Sequence, residues 1–178
     1  YSLRETEALM QECAIALAGC GRTYIGDVSF PTGNPDPAVM ELSGEVNKRT
    51  LELVPFVKDC KPVKDIAVLH SADSIWSKAP FMPSPTWHAG PAYYSVNGAH
   101  TAFIEGHVQM NILNSEVLVE TIDKYGAVIL PDQRILSTRE CESIRRFVRN
   151  GGVLIATCET GTRDIDNNLL GNFSIADV

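Results

Sequence analysis

Cys158 is the residue of this 178-residue chain best placed to do covalent chemistry. It follows the apolar run Val153 to Thr157, and turn amides with a neighbouring base can activate a thiol at the end of a buried strand. A nucleophile elbow favours small residues two places before and after the nucleophile. Ala156 meets that requirement, whereas Thr160 is β-branched and poorly suited to a positive φ. Half of the motif is therefore present.

A cysteine nucleophile also needs a histidine as its base. The four histidines all precede Cys158 in the chain: His70, His88, His100 and His107. His70 is the candidate base because it follows the apolar run Ile66 to Leu69 and shares the predicted sheet edge with Cys158. The alternatives are a partly buried polar residue at a strand end for His70 and a small buried thiol for Cys158. We favour these alternatives, since no histidine follows Cys158.

Aromatic residues and prolines are concentrated between Ala72 and Gly98, where no hydrophobic period is visible. The segment contains four prolines together with Trp76, Phe81, Trp87, His88, Tyr93 and Tyr94. A loop of this length inside a compact domain is usually functional or part of an interface. Its aromatic side chains can pack against another protein subunit or stack on sugar rings. We expect the interface role first and the sugar contact second.

Composition excludes several classes of partner. The net charge of -7 and the pI near 5.0 argue against a nucleic-acid partner. No apolar stretch approaches the ~20 residues needed to cross a bilayer, so no membrane partner is expected. The five cysteines are widely spaced and form no CxxC pair, which predicts free thiols, no metal and no cofactor. Free thiols favour a reducing compartment, and hence the cytoplasm, without excluding export of a parent protein.

From Asp65 onward, the pattern predicts an α/β domain with a parallel sheet. Three continuous apolar runs, IAVL, AVIL and VLIAT, are typical of strands buried on both faces. VLVETI is predicted as a further strand, and Ala99 to Leu113 as a helix. Ser137 and Glu140 form a capping box for a helix that ends at Gly151 and Gly152. Right-handed crossovers would place the important loops at the carboxyl ends of the strands.

The first sixty residues predict a helix, a strand and a second helix. A three- and four-residue period runs from Leu3 to Leu17, with Ser2 and Glu5 as a capping box. RTYIGDVSF is short and β-rich, and is closed by prolines and a glycine. Asp36 is a plausible N-cap for a helix reaching about Val57, with Pro37 at its first position.

Three stretches of the second half carry a resemblance to a known family. They read KPVKDIAVLHSADSIW, DKYGAVILPDQRILSTRECESIRRFVRNGG and VLIATCETGTRD. The span from about Val63 to Val178 resembles the trimerisation domain of family 42 β-galactosidases, a relative of the class I glutamine amidotransferase fold. The resemblance implies a flavodoxin-like parallel sheet with helices on both faces over residues 63–178, incomplete at its carboxyl end. Residues 1–62 look like the last part of a (β/α)8 barrel.

The resemblance implies a non-catalytic role for the second domain. Its amidotransferase machinery would be degenerate, and it would serve self-association, as a homotrimer or another homo-oligomer, within a glycoside hydrolase. The catalytic carboxylates of such an enzyme lie on barrel strands that precede this segment, which leaves Asp27 with a substrate-side or structural role. Two alternatives remain open: a cysteine-dependent amidotransferase or hydrolase using Cys158, and a flavodoxin-like nucleotide module. The loop SADSIWSKAP, which has no glycine, disfavours the nucleotide module.

Overall fold

The computed structural model describes residues 4–27, 29–61, 63, 65–78 and 91–178. The chain divides into two compact units, Tyr1–Pro62 and Val63–Val178. Each unit is described by itself below. Among the described residues, no helix combines the length and the apolar character needed to span a bilayer.

The first unit consists of two helices, α1 (Thr6–Ala18) and α2 (Pro37–Val57), which pack against each other. Helix α2 begins as predicted, because the Asp36 carboxylate accepts the Ala38 N–H at 2.9 Å and Pro37 occupies the first turn. Helix α1 starts one turn later than predicted. Its N-cap is Glu5, which makes no side-chain cap, and Ser2 lies outside the described residues.

The predicted strand RTYIGDVSF is not formed in the residues of this segment that the structure describes. Residues 21–27 are irregular, and Phe30 instead closes a turn in which the Gly33 N–H binds its carbonyl at 2.7 Å. A strand requires a neighbouring strand for its backbone hydrogen bonds. The described part of this unit offers none, so a β-rich composition is not sufficient here.

The second unit is built on a four-stranded parallel sheet in the order β2-β1-β3-β4. The strands are β1 (Ile66–Leu69), β2 (Met110–Leu113), β3 (Ala127–Pro131) and β4 (Val153–Thr157). The helices of this unit are α3 (Ala72–Lys78), α4 (Pro91–Glu105), α5 (Ser115–Thr121), which continues into a 3-10 turn at Ile122–Lys124, and α6 (Thr138–Arg149). This order is that of a doubly wound flavodoxin-like sheet, which confirms the predicted fold class.

Helices cover both faces of the sheet, as the alternation of side chains along each strand requires. On one face, Val68 and Ile129 pack with Val96 and Phe103 of α4. On the other face, a larger core joins side chains of α5, the 3-10 turn and α6 to three strands: Ala67, Leu69, Leu113, Leu118, Ile122, Val128, Leu130, Ile144 and Phe147. The sheet is therefore a central layer between two helical layers.

Three predicted segments have a different secondary structure. The loop predicted over residues 72–98 contains α3 and most of α4, which begins at Pro91, a residue type that suits the first helical turn. The helix predicted to reach Leu113 ends at Glu105, and the strand predicted at VLVETI is α5. VLVETI is helical because the Asn114 side chain accepts the Val117 N–H at 2.9 Å and caps α5.

Strand β4 lies at the sheet edge and is exposed rather than fully buried as predicted. Val153 is 55% exposed and Ile155 is 49% exposed, although both have the apolar side chains of a covered strand. Burial on both faces depends on a strand's position in the sheet, which a local apolar run does not reveal.

Helix α6 is fixed at both ends by features that the sequence predicts. The Ser137 and Glu140 capping box is formed, and Gly151 has a φ of +93°, which glycine adopts without strain. On its outer surface, Arg145 donates to the Asp177 carboxylate at 2.8 Å, which holds the chain end against α6. That hydrogen bond keeps the pKa of Asp177 below its usual range.

Candidate functional site

The carboxyl edge of the sheet carries a chemistry-bearing residue after each of three strands. His70 follows β1, Asp132 follows β3 and Cys158 follows β4. Asp132 and Cys158 both have positive φ, at +58° and +52°. Positive φ at a non-glycine residue is uncommon and costs conformational energy, which functional sites often contain. The carboxyl edge of the sheet is therefore the candidate functional site.

The strand order separates the thiol from the imidazole. Because β3 lies between β1 and β4, His70 and Cys158 are two strand spacings apart, ~10 Å. A catalytic pair needs hydrogen-bond contact. A triad also needs the imidazole between the thiol and the acid, whereas here the strand of Asp132 occupies the middle. Within the described residues, no hydrogen bond reaches the Cys158 sulfur, although Cys158 is exposed.

His70 packs against the aromatic ring of Tyr93. The two ring centroids are 6.5 Å apart, with an edge-on angle of 61° between the ring planes. Its Nε2 atom is buried and has no hydrogen-bond partner among the described residues. The backbone N–H of His70 donates to the Leu113 carbonyl at 2.8 Å, which extends the β1-β2 ladder. His70 thus packs against Tyr93 at the end of β1.

Two buried polar residues that the sequence reasoning missed hold this edge together. Gln133 is fully buried: its amide oxygen accepts the Ser71 N–H at 2.8 Å, and its amide nitrogen donates to the Pro131 carbonyl at 2.9 Å. The Thr160 hydroxyl accepts the Gln133 N–H at 3.0 Å and lies 2.9 Å from the Leu130 carbonyl oxygen. Gln133 and Thr160 therefore tie the ends of β1, β3 and β4 together.

Asp132 links the β4 turn to α4. One carboxylate oxygen accepts the Glu159 N–H at 3.2 Å, and the other accepts the Ser95 hydroxyl at 3.3 Å. The side chain thus stabilises the turn that contains Cys158. The sequence signal for this role was the Pro131-Asp132 pair at the end of an apolar run, because aspartate tolerates the left-handed conformation better than most residues.

Residues 71–78, the described part of the loop predicted after β1, do not form a phosphate cradle. Ser71 and Ser74 are fully buried, and the Ser74 hydroxyl both accepts the Ile135 N–H and lies 3.1 Å from the Ile135 carbonyl oxygen. These groups therefore already have protein partners, and α3 is a short helix of seven residues. Among the described residues, no three His, Cys, Asp or Glu side chains converge as metal ligands.

Three exposed aromatic residues lie on neighbouring helices of the second unit. Trp76 on α3 is 74% exposed, and Tyr94 in the first turn of α4 is 65% exposed. Tyr93 is also exposed, and α3 packs against α4. Trp76, Tyr93 and Tyr94 together are called the aromatic surface below. The candidate residues Trp87 and His88 lie outside the described residues.

Asp27 belongs to the first unit, where it lies in an irregular segment and is exposed. Within the described residues, no hydrogen bond or ion pair involves its carboxylate. Its predicted substrate-side or structural role therefore stays a prediction.

Comparison with known proteins gives one family match. Residues 64–174 match the family model described as the β-galactosidase trimerisation domain. Among curated proteins, the β-galactosidase BgaA of Clostridium cellulovorans is 30% identical over 127 residues, which are 71% of this chain and 18% of BgaA. The chain therefore corresponds to less than a fifth of the length of that relative.

Solved structures share the fold at low sequence identity. The β-galactosidase from Rahnella sp. R3 is similar over 99% of this chain and 28% of its own, with a TM-score of 0.74 and 17% identity. The α-L-fucosidase isoenzyme 2 from Paenibacillus thiaminolyticus is similar over 92% of this chain and 24% of its own, with a TM-score of 0.70 and 22% identity. The same architecture thus accompanies enzymes named for different sugars.

Proposed function

Because this chain belongs to the β-galactosidase trimerisation domain family, we propose that it is the self-associating accessory region of a glycoside hydrolase that acts on β-galactosides. The observation that carries the proposal is the family match over most of the second unit. The relative named β-galactosidase BgaA supports the substrate class. Residues 1–62 would then form the end of the catalytic barrel, and the catalytic carboxylates would lie elsewhere in the parent protein.

The arrangement of the carboxyl edge of the sheet supports a non-catalytic role for this region. An enzyme site of this fold needs free polar groups at the carboxyl ends of the strands. Here the buried polar groups of Gln133 and Thr160 bind the protein itself, and the thiol and imidazole stand apart. A cysteine-dependent enzyme would require both strand ends to move.

We assign the self-association to the aromatic surface. Tryptophan and tyrosine are enriched among the residues that dominate binding energy at interfaces, because they bury a large area with few rotatable bonds. Trp76 and Tyr94 are largely exposed, and a partner that packs against them would bury both side chains. We expect the assembly to be a homotrimer, as the family description implies.

Light scattering after size exclusion tests this assignment over a range of concentrations. Trp76→Ser and Tyr94→Ser should each weaken association by about 10-fold or more. Tyr24→Ser is the control, because Tyr24 is a tyrosine of the first unit that is even more exposed than Tyr94. A wild-type chain that stays monomeric at every concentration contradicts the proposal. Unchanged association in both aromatic variants would show that the interface lies outside the aromatic surface.

A second role for the same surface is contact with the sugar. The exposed indole of Trp76 offers a flat face of the kind on which a sugar ring stacks. Titration of the chain with a β-galactoside disaccharide, followed by tryptophan fluorescence, tests this role. A saturable change that Trp76→Ser abolishes supports it, whereas a linear response excludes it.

A further inference from the structure

Two cysteines of the first unit lie next to each other, although they are forty positions apart in the sequence. Cys20 follows the end of α1, and Cys60 follows the end of α2. The two helices pack against each other, and a hydrogen bond brings the segments after their carboxyl ends together. The Cys20 thiol donates to the backbone carbonyl of Cys60 at 3.1 Å.

This hydrogen bond limits the distance across which a disulfide would have to form. A carbonyl oxygen lies about 2.4 Å from its own Cα, so the Cys20 sulfur is no more than about 5.5 Å from the Cys60 Cα. In a disulfide, a sulfur lies roughly 4 Å from the Cα of its partner. A change of side-chain rotamer, together with a small movement of the segments that follow α1 and α2, would shorten the sulfur–Cα distance to that value.

Both residues lie just beyond a helix end, outside the regular helical turns. Cys20 has a φ of +60°, and Asp59, which precedes Cys60, has a φ of +63°. The Cys60 sulfur now donates to the Phe56 carbonyl at 3.4 Å. A weak thiol hydrogen bond of this kind is readily given up.

Exposure separates three of the five thiols from the other two. Cys20 and Cys60 are exposed, as is Cys158, whereas Cys13 and Cys141 are buried. A small disulfide oxidant in solution therefore reaches Cys20, Cys60 and Cys158 only. Of these three, Cys20 and Cys60 share the first unit and a direct contact.

We propose that Cys20 and Cys60 are a site of reversible disulfide formation that links the ends of α1 and α2. The oxidant is a low-molecular-weight disulfide such as oxidised glutathione. One cysteine thiolate attacks a glutathione sulfur and releases one reduced glutathione, and the second cysteine then displaces the other. The two protein thiols together lose two protons and two electrons, which convert one oxidised glutathione into two reduced molecules.

The experiment uses the full 178-residue chain carrying Cys158→Ser, so that four of the five thiols remain. The folded protein is incubated with oxidised glutathione, and its free thiols and intact mass are measured. We expect a loss of two thiols, a mass lower by two hydrogen atoms, and a tryptic peptide pair in which fragmentation shows Cys60 joined to Cys20 and not to Cys13, which lies on the same peptide. The oxidised form should also unfold at a higher temperature, since the bond closes a long loop of the unfolded chain.

Cys20→Ser in the same background is the control. Cys60 then lacks its partner, and the product should be a mixed disulfide with one glutathione added. Cys60→Ser should give the same product at Cys20. Mixed disulfides, covalent dimers or four unreacted thiols in the protein that retains both cysteines, with its circular dichroism intact, would overturn the proposal.

Discussion

At the scale of single residues, the carboxyl edge of the sheet is occupied by groups that bind each other. Asp132 accepts the Glu159 N–H, and Gln133 reaches across to Ser71. The left-handed backbone at Cys158 is stabilised by this arrangement and does not need a catalytic explanation. Structural hydrogen bonds thus occupy the polar groups of Asp132 and Gln133 beside the candidate residues.

Gln133→Ala should lower the free energy of unfolding by about 2–4 kcal/mol. The change leaves the buried Ser71 N–H and the Pro131 carbonyl without their partners and opens a cavity. Urea unfolding followed by circular dichroism measures the loss. Gln109→Ala is the matched control, because Gln109 is exposed and its truncation should cost less than about 0.5 kcal/mol. Equal stabilities for the two variants would contradict the structural role of Gln133.

At the scale of elements, the sequence predicts best those features that depend on neighbouring residues. The β1, β3 and β4 runs and the Ser137 capping box are confirmed, because continuous apolar patterns and caps are local. Strand β2 and helix α5 were exchanged: MNIL contains a polar asparagine, whereas VLVETI is rich in β-branched residues. Here the Asn114 cap and the tertiary contacts outweigh intrinsic propensity.

For the candidate site too, the sequence predicts the local features and not those that depend on the assembled sheet. A strand end can be read from the sequence, which places His70 and Cys158 at one edge of the sheet. Their separation depends on which strand lies between them, and that order is set by the crossovers of the whole sheet. The exposure of β4 was missed for the same reason, since an edge position is a property of the assembled sheet.

Gly152→Ala should destabilise the second unit by about 1–3 kcal/mol. An added Cβ would lie 2.3 Å from the ring of Phe147, which is buried in the core between α6 and the sheet. The second glycine of the pair after α6 is thus required by close packing. Gly171→Ala is the control, because a Cβ there meets no atom within 4 Å. Thermal unfolding compares the two, and similar midpoints would contradict this explanation.

At the scale of the whole molecule, the two units differ in how much apolar surface they bury. Among the described residues, the buried apolar side chains of the first unit are Cys13, Leu17 and Val46, whereas the second unit has two clusters that surround its sheet. Small cores support little stability of their own. We therefore expect the second unit to be the part of the chain that folds independently.

A fragment of residues 63–178 should fold by itself, with a cooperative thermal transition and the circular dichroism of an α/β protein. A fragment of residues 1–62 should show no such transition, because its two helices bury too little apolar surface. Differential scanning calorimetry of both fragments measures this. A non-cooperative profile for residues 63–178 would show that the second unit depends on the first.

The open side of β4 has a consequence for handling the purified chain. VLIAT contains no charge and no proline, and its outer backbone groups face away from the sheet. A strand of this kind is a template for fibrillar growth whenever it stays unshielded at high concentration. We therefore expect the exposed side of β4 to limit how long the purified chain stays free of aggregates at high concentration.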